Sequence, residues 1–506
     1  MWRWITLALL TLASPTLAAG SNYFGIQVVD EATGRGVPLV ELRTTNEISY
    51  LSDSAGWVAF DEPGLMDRPV WFTITSHGYE YPADGFGFRG LKLTPKAGET
   101  ATVEIKRVNI AERLYRATGG GIYRDSILLS KPVPIAHPLL NADLLGCDSV
   151  LSTVHNGKVY WFWGDTNRVA YPLGNFRTTS ATSLLPKDKG LLPSVGVDYT
   201  YFVSEDGFPK QMIPMTEPGP VWLSGLCTIK DDTGTERIVA HYSRMKDLGT
   251  RLERGLAAYD DATNEFKVLH TIDLEAPLAP DGHPTKVTIG GTTWICFNVP
   301  YPNIRVRDDW KAFGDLTQYE GFTPLKSGTA KFDASKPQLD RDASGKLNWS
   351  WKPATAIVSS KEIEAMISSG VLKPDEVPFR LTDAATGTVI TLHGGSFYWN
   401  AYRKKYVMIG LEVMGTSVLG EVWYAEAEAL EGPWRKAVKI VTHEQHDLYN
   451  PKQHPFFDED GGRVIYLEGT FTNGFSGSKL KAPRYDYNQM MYQLDLSDPR
   501  LDGAKK

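Results

Sequence analysis

From Gly25 onward the chain is written in short runs in which apolar and polar positions alternate or apolar residues stand together. GIQVVD, LVELRT, ISYLSD, GWVAF, VWFTITS and ATVEIKRV follow one another within the first hundred residues. A period of two over four to eight residues predicts half-buried strands. ATGRG, DSAG and HGYEYPADG carry the glycine, proline and aspartate of turns between them. Residues 19–108 therefore read as a small β-sandwich. Residues 109–126 (NIAERLYRATGGGIYRDS) lose the pattern and read as a connector, with Gly119-Gly120-Gly121 as a flexible turn. A phosphate-cradling reading of these glycines fails, because no Lys-Ser/Thr pair follows and no strand-to-helix context surrounds them.

Residues 127–506 show a larger recurrence. CDSVLSTVHNGKVYWFWGDT, SGLCTIKDDTGTERIVAHYSR, DGHPTKVTIGGTTWICFNVPY, HGGSFYWNAYRKKYVMIGLEV and KQHPFFDEDGGRVIYLEGTFT can be aligned as five hairpins. Each has a polar or glycine-containing start, a strand, a tight turn and a second strand. A lone hairpin cannot bury both faces; radial repetition buries them and protects the edges. The expected architecture is all-β, a small N-terminal β-sandwich followed by a five-bladed β-propeller. A single large β-sandwich is the alternative and explains the recurrence less simply. SSKEIEAMISSGVLKPDEVP (359–378) reads as an insertion that starts as a helix.

Composition narrows the function. The net charge is -7, with no basic tract, which speaks against nucleic acid as a partner. The three cysteines, Cys147, Cys227 and Cys296, form no CxxC and lie in apolar runs, so they read as inert buried thiols. MWRWITLALLTLASPTLAAG has a positive start, a short apolar core and small residues before a cut near Ala18. Residues 1–18 are thus expected to be a signal peptide, and the mature chain secreted or periplasmic. No stretch reaches the roughly 20 apolar residues of a membrane span. Nothing in the sequence sets an oligomeric state.

In a radial array the start of each inner strand faces a common central pocket. The five starts carry Asp148, Ser224, His283, His393 and His454; the second strands add Asp165, His241, Glu412 and Glu468. Asp148 precedes an apolar strand and is the first candidate for a catalytic carboxylate. Asp165 follows the aromatic run Trp161-Phe162-Trp163. Glu412 and Glu468 end apolar strands, and burial there raises a carboxyl pKa toward that of a general acid. His283, His393 and His454, at matching starts, are candidate glycan or cation ligands. Asn450 lies in HDLYNPKQHP near the same rim. Arg168 and Arg305 are candidate bidentate partners for hydroxyls or a uronate, and Trp163 is a candidate sugar platform; Trp222 and Tyr449 suit the same stacking role.

Three resemblances follow from quoted motifs. VDEATGRGVPLVELRTTNEISYLSDSAGWVAFDEPG resembles the transthyretin-like or carboxypeptidase-regulatory-like fold, which implies an accessory module. VWYAEAEALEGPWRKA (422–437) resembles an outer-strand motif of the five-bladed glycosidases acting on arabinans, xylans and related glycans. GKVYWFWGDT resembles secreted bacterial propellers of an uncharacterised-domain family. The resemblance implies a glycoside hydrolase in which an Asp of the first blade is the base, a second Asp tunes it and a later Glu is the acid. Asp148 matches the first and Glu412 the last, while His283 stands where the second Asp is expected; some five-bladed relatives use histidine as an acid. It also implies a calcium or other divalent cation on the axis, with His283, His393 or His454 among its ligands. The expected pocket has Asp148 as ionised base, Glu412 as protonated acid, His283 and His454 on its wall, Asp165 nearby, and Glu468 as the substitute acid. The expected partner is a polysaccharide or oligosaccharide. Two other readings stay open: a polysaccharide lyase with a His or Tyr base and Arg or a metal neutralising a uronate, and a glycan-binding propeller without catalysis.

Overall fold

Alternation in the first hundred residues produces two four-stranded sheets. The computed structural model describes residues 22–278 and 280–505. One sheet has the order Trp57–Phe60, Phe24–Asp30, Thr100–Arg107, Tyr79–Glu80; the other Ser49–Leu51, Val40–Thr44, Val70–Ser76, Gly90–Leu93. Ile26, Val28, Val58 and Val103 from the first pack against Val40, Leu42, Phe72 and Ile74 from the second. The Asp53 turn forms as its sequence suggests: Asp53 Oδ1 accepts from Ala55 N and Trp57 N. Gly56 closes that turn at φ +78, and a Cβ there would stand 2.3 Å from Val28 O. The expected signal peptide, residues 1–18, lies outside the described residues.

The rest of the chain forms five blades. Blade 1 is Leu151–His155, Lys158–Trp163, Thr179–Leu184 and Thr200–Tyr201, with a small side sheet of Leu144–Cys147, Thr166–Arg168 and Tyr171–Asn175. Blade 2 is Val221–Lys230, Glu236–Met245, Arg251–Asp260 and Glu265–Ile272. Blade 3 runs Thr285–Ile289, Thr292–Asn298, Pro302–Arg307, Glu320–Thr323 and Ser350–Pro353. Blade 4 runs from Leu392–Asn400 through Lys405–Glu412, Val422–Ala427 and Trp434–Val441, with Phe379–Asp383 and Val389–Ile390 on its outer edge. Blade 5 is Asp447–Gln453, Val464–Thr472, Asn488–Asp495 and, from far upstream, Glu112–Arg116.

That last strand adds to the sequence reading of 109–126, which left open whether the connector returns a strand to the ring. The segment is not only a connector: it supplies the outer strand of the final blade, in the register Met490↔Arg116, Met491↔Tyr115, Tyr492↔Arg113. Its glycines are packed; a Cβ on Gly119, at φ +94, would fall 2.2 Å from Asn488 Oδ1. The same segment ties the sandwich to the ring. Buried Arg113 donates to Pro38 O, His77 O and Ser76 Oγ, and Ser126 N donates to Asp53 Oδ2 at 2.6 Å. The insertion after blade 3 starts with the helix Ser360–Ser368, where Ser359 and Glu362 cap each other reciprocally. Its Ile363 and Met366 close a small separate core with Leu325, Leu347 and Leu372.

The fifth hairpin differs from its sequence reading in phase. The inner strand is Asp447–Gln453, so His454 stands at its far end, opening the short 3-10 turn Pro455–Phe457. Proline there has no N–H for the ladder, which ends the strand instead of starting it. Tyr449 and Asn450, the third and fourth residues of that strand, lie toward its mouth-side start.

Candidate functional site at the propeller mouth

Asp148 lies just ahead of the inner strand of blade 1, held between that strand and the side sheet. Gly164 N donates to its carbonyl at 2.8 Å, and Gly164 is without a side chain because a Cβ would sit 2.3 Å from Asp148 Oδ1. The carboxyl also takes hydrogen bonds from Tyr487 and Ser149. Burial, followed by the charge of Asp165, pushes the Asp148 carboxyl up to about 7. Asp165 lies in the bend that follows the second strand of blade 1; burial raises it, against the bond from Trp222 Nε1 at 2.8 Å. Trp222 belongs to the inner strand of blade 2, so one bond links two blades at the rim.

Three more blades contribute. Blade 3 brings exposed Asp281 ahead of its inner strand, where Gly282 O accepts from Gly225 N of blade 2 at 3.0 Å. Blade 4 brings exposed His393, its ring 5.5 Å from that of Tyr449 on blade 5. The charges of both Asp148 and Asp281 act on Tyr449 and, with burial, raise its phenol. Asn450 Nδ2 donates to Ser149 Oγ at 2.9 Å. Tyr487 arrives on the segment that leads into Asn488–Asp495, and its backbone oxygen accepts from Cys147 N at 2.9 Å. Asp148, Asp165, Asp281, His393, Tyr449, Asn450, Trp222 and Tyr487 thus form one group at the mouth.

Several expected members are elsewhere. Glu412 does not join Asp148: it accepts from Trp423 Nε1 at 2.8 Å on the third strand of its own blade, with Lys439 and Asp383 as its charged neighbours. Burial raises it as expected, but beside the outer strands. Asp148 was expected to be the ionised member and instead holds its proton to about 7, because it is the more enclosed carboxyl. Glu468 is fully buried mid-strand opposite Lys452, below the mouth. Its Oε2 lies 3.4 Å from His454 Nε2, and His454 Nδ1 lies 3.0 Å from Ser152 Oγ. Lys452 donates to Ser152 O and Oγ. Burial favours the neutral form of each member, lifting Glu468 and lowering Lys452 and His454. His283 is buried near this axial group, its imidazole driven well below the ordinary range.

Trp163 is 1% exposed and packs edge-on against Tyr199, so it is core and not a platform. Arg305 is enclosed between Trp294 and Trp351, 3.9 and 4.3 Å from their centroids, and paired with Glu320. Arg168 pairs with Asp206 at 3.1 Å and covers Phe208. Each guanidinium is committed to its own blade. Among the described residues no group of three or more His, Cys, Asp and Glu is arranged to hold a metal ion. His283, His393 and His454 do not form one ligand set.

Sequence reasoning missed Asp281 and Tyr487. Asp281 had a signal: it opens the third hairpin as Asp148 opens the first. Tyr487 had none, since only the packing of its loop against Cys147 brings the phenol to Asp148.

No family model matches the chain, and no curated protein matches it. Solved structures that resemble it include the GH43_1 enzyme from Xanthomonas citri complexed with xylotriose, at 9% identity and TM-score 0.33, covering 69% of this chain and 86% of that one. An exo-1,5-α-L-arabinanase from a bovine ruminal metagenomic library is 10% identical at TM-score 0.33, covering 70% and 94%. The exo-β-1,3-galactanase of Phanerochaete chrysosporium is 9% identical at TM-score 0.36, covering 76% and 65%. Likeness at this level assigns no role to any residue here; the blade assignment rests on the strand pairing within the chain.

Proposed function

We propose that this protein is a glycoside hydrolase whose scissile bond lies over the mouth group. The observation that carries the reading is the state of Asp148 at the open end of the ring, where burial and then the charge of Asp165 lift its carboxyl to about 7. Glycosidic cleavage needs one carboxyl that holds a proton at working pH and a second that is ionised. Asp148 is the proton donor to the leaving oxygen, with Asp165 and Tyr487 setting its proton affinity. Asp281, exposed across Tyr449, activates the water that attacks the anomeric carbon. Tyr449 and Trp222 offer ring faces to the sugar, while His393 and Asn450 offer hydrogen bonds to its hydroxyls. The substrate class is a neutral plant, algal or bacterial polysaccharide or its oligosaccharides, met outside the cytoplasm after export directed by residues 1–18. No helix among the described residues is long and apolar enough to cross a membrane.

The test is reducing-sugar release from xylan, arabinan and β-1,3-galactan by the purified protein and by Asp148→Asn and Asp281→Asn. Turnover of one glycan, lost in both variants while the far-ultraviolet spectrum is kept, is the expected result. An unsaturated, ultraviolet-absorbing product would point to a lyase instead. Binding of a glycan without turnover would reduce the mouth to a lectin-like site.

A further inference from the structure

A cavity opens on the rim between the loop that joins Lys405–Glu412 to Val422–Ala427 in blade 4 and the loop after Val464–Thr472 in blade 5. Its volume is about 590 Å³. That is within the range that encloses a drug-sized ligand. One wall is Met414–Val418 and the other Ser476–Leu480, with Gln445 between them. Hydroxyls, an amide, backbone groups and one ammonium line it, together with the apolar surfaces of Met414, Val418 and Leu480, and no carboxylate does.

The cleft is built, because one buried carboxylate holds both walls. Asp447 Oδ1 accepts from Leu419 N of the blade 4 loop at 3.1 Å. Asp447 Oδ2 accepts from Phe475 N and Ser476 N of the blade 5 loop at 3.1 and 2.8 Å. Ser417 Oγ adds a bond to His446 O at 2.9 Å, and buried Glu421 accepts from Thr416. Hydrogen bonds to one side chain from both sides fix the separation of the walls before any ligand arrives.

The blade 5 wall of the cleft also adjoins the mouth group. Phe475, next to Ser476, is 44% exposed and its ring centre lies 4.7 Å from that of Tyr449. Tyr449 in turn meets His393 and feels Asp148 and Asp281. An aromatic path therefore leads from the reacting carboxyls to a hydroxyl-rich cleft, the combination that suits a chain of alternating apolar ring faces and hydroxyl edges.

We infer that this cleft holds further units of the glycan chain whose cleaved bond sits at Asp148, so that the protein prefers chains over disaccharides. The inference rests on the glycoside hydrolase reading of the mouth. The experiment uses the full chain with Asp148→Asn to silence turnover, titrated calorimetrically with two-unit and five-unit oligosaccharides of the xylan, arabinan and β-1,3-galactan series. The five-unit member of one series binds about tenfold more tightly than its two-unit member, a difference of one decade in Kd. Met414→Trp and Ser478→Trp, which fill the cleft from opposite walls, each remove that advantage and leave the two-unit affinity unchanged. Met414 is 74% exposed, so that variant does not depend on repacking a core. Equal affinity for short and long chains, or an advantage that survives both substitutions, overturns the cleft while leaving the mouth assignment intact. Failure of every oligosaccharide to bind overturns both.

Discussion

Trp222 Nε1 lies 2.8 Å from Asp165 Oδ1, so the inner strand of blade 2 holds the carboxyl whose charge raises Asp148 in blade 1. The bond opposes the rise that burial imposes on Asp165. Asp148, lifted to about 7, is the proton-bearing member of the two.

The pH dependence follows from this arrangement. Asp148 acts while protonated, so turnover falls as pH rises through about 7. Removing the neighbouring charge in Asp165→Asn lowers the proton affinity of Asp148 and moves the falling limb to lower pH. The profile of kcat/KM against pH for the two proteins checks both the position and the direction. A limb that stays in place would mean that Asp165 does not act on the titrating group.

Glu412→Gln is expected to keep turnover within about threefold of the parent, whereas Asp148→Asn and Asp281→Asn lose about 100-fold or more. Glu412 is bonded to Trp423 and neighboured by Lys439, on the outer strands of blade 4. Steady-state rates on the glycan identified in the hydrolysis screen decide it; a loss in Glu412→Gln equal to that in Asp148→Asn would restore the glutamate as the acid.

A histidine cluster predicts how stability responds to acid. His77 of the sandwich meets His443 and His446 of the propeller, with centroids 5.2 and 4.7 Å away, and Arg113, Phe471 and Tyr492 complete the surroundings. Burial, then Arg113, drives His77 down to about 3, and burial drives His443 well below its ordinary range. The unfolded chain binds these protons near 6.5 and the folded one does not. Stability is therefore full above that pH and is lost as pH falls from it toward about 3. At pH 5 each histidine kept neutral costs about 2 kcal/mol. Chemical denaturation at pH 7.5 and 5 measures the slope, and His77→Gln is expected to make it shallower. An unchanged slope in that variant would remove His77 from the acid response.

The thiols give an independent check on the interior. Cys147, Cys227 and Cys296 are buried and unpaired, and burial raises all three, Cys227 to about 12. Alkylation by iodoacetamide should be slow in the native protein and should reach all three once denaturant is added. Rapid labelling of any one in the native state would contradict the packing described.

By itself the sequence determined the layers. Period-two alternation and turn residues specify the sandwich, the blades and the Ser359-capped insertion, because strand burial and turn geometry are local properties of the chain. It also placed Asp148, Asp165, His393 and Asn450 at the rim, since in a radial array the start of an inner strand and the end of its neighbour share one end. What it left undecided depends on strand phase, side-chain direction and contacts between distant segments. Glu112–Arg116 closes blade 5 only because the ring brings residue 116 beside residue 490. His454 leaves the rim because the blade 5 strand precedes it, and Glu412 leaves the site because its side chain turns to a tryptophan on the next strand outward. Tyr487 enters through the packing of its loop against Cys147. Periodicity fixes which residues form a strand; the proton affinity of Asp148 is set by burial inside the closed ring, by Asp165 on the turn after the next strand and by Tyr487 from the far end of the chain, and only the tertiary structure supplies that enclosure.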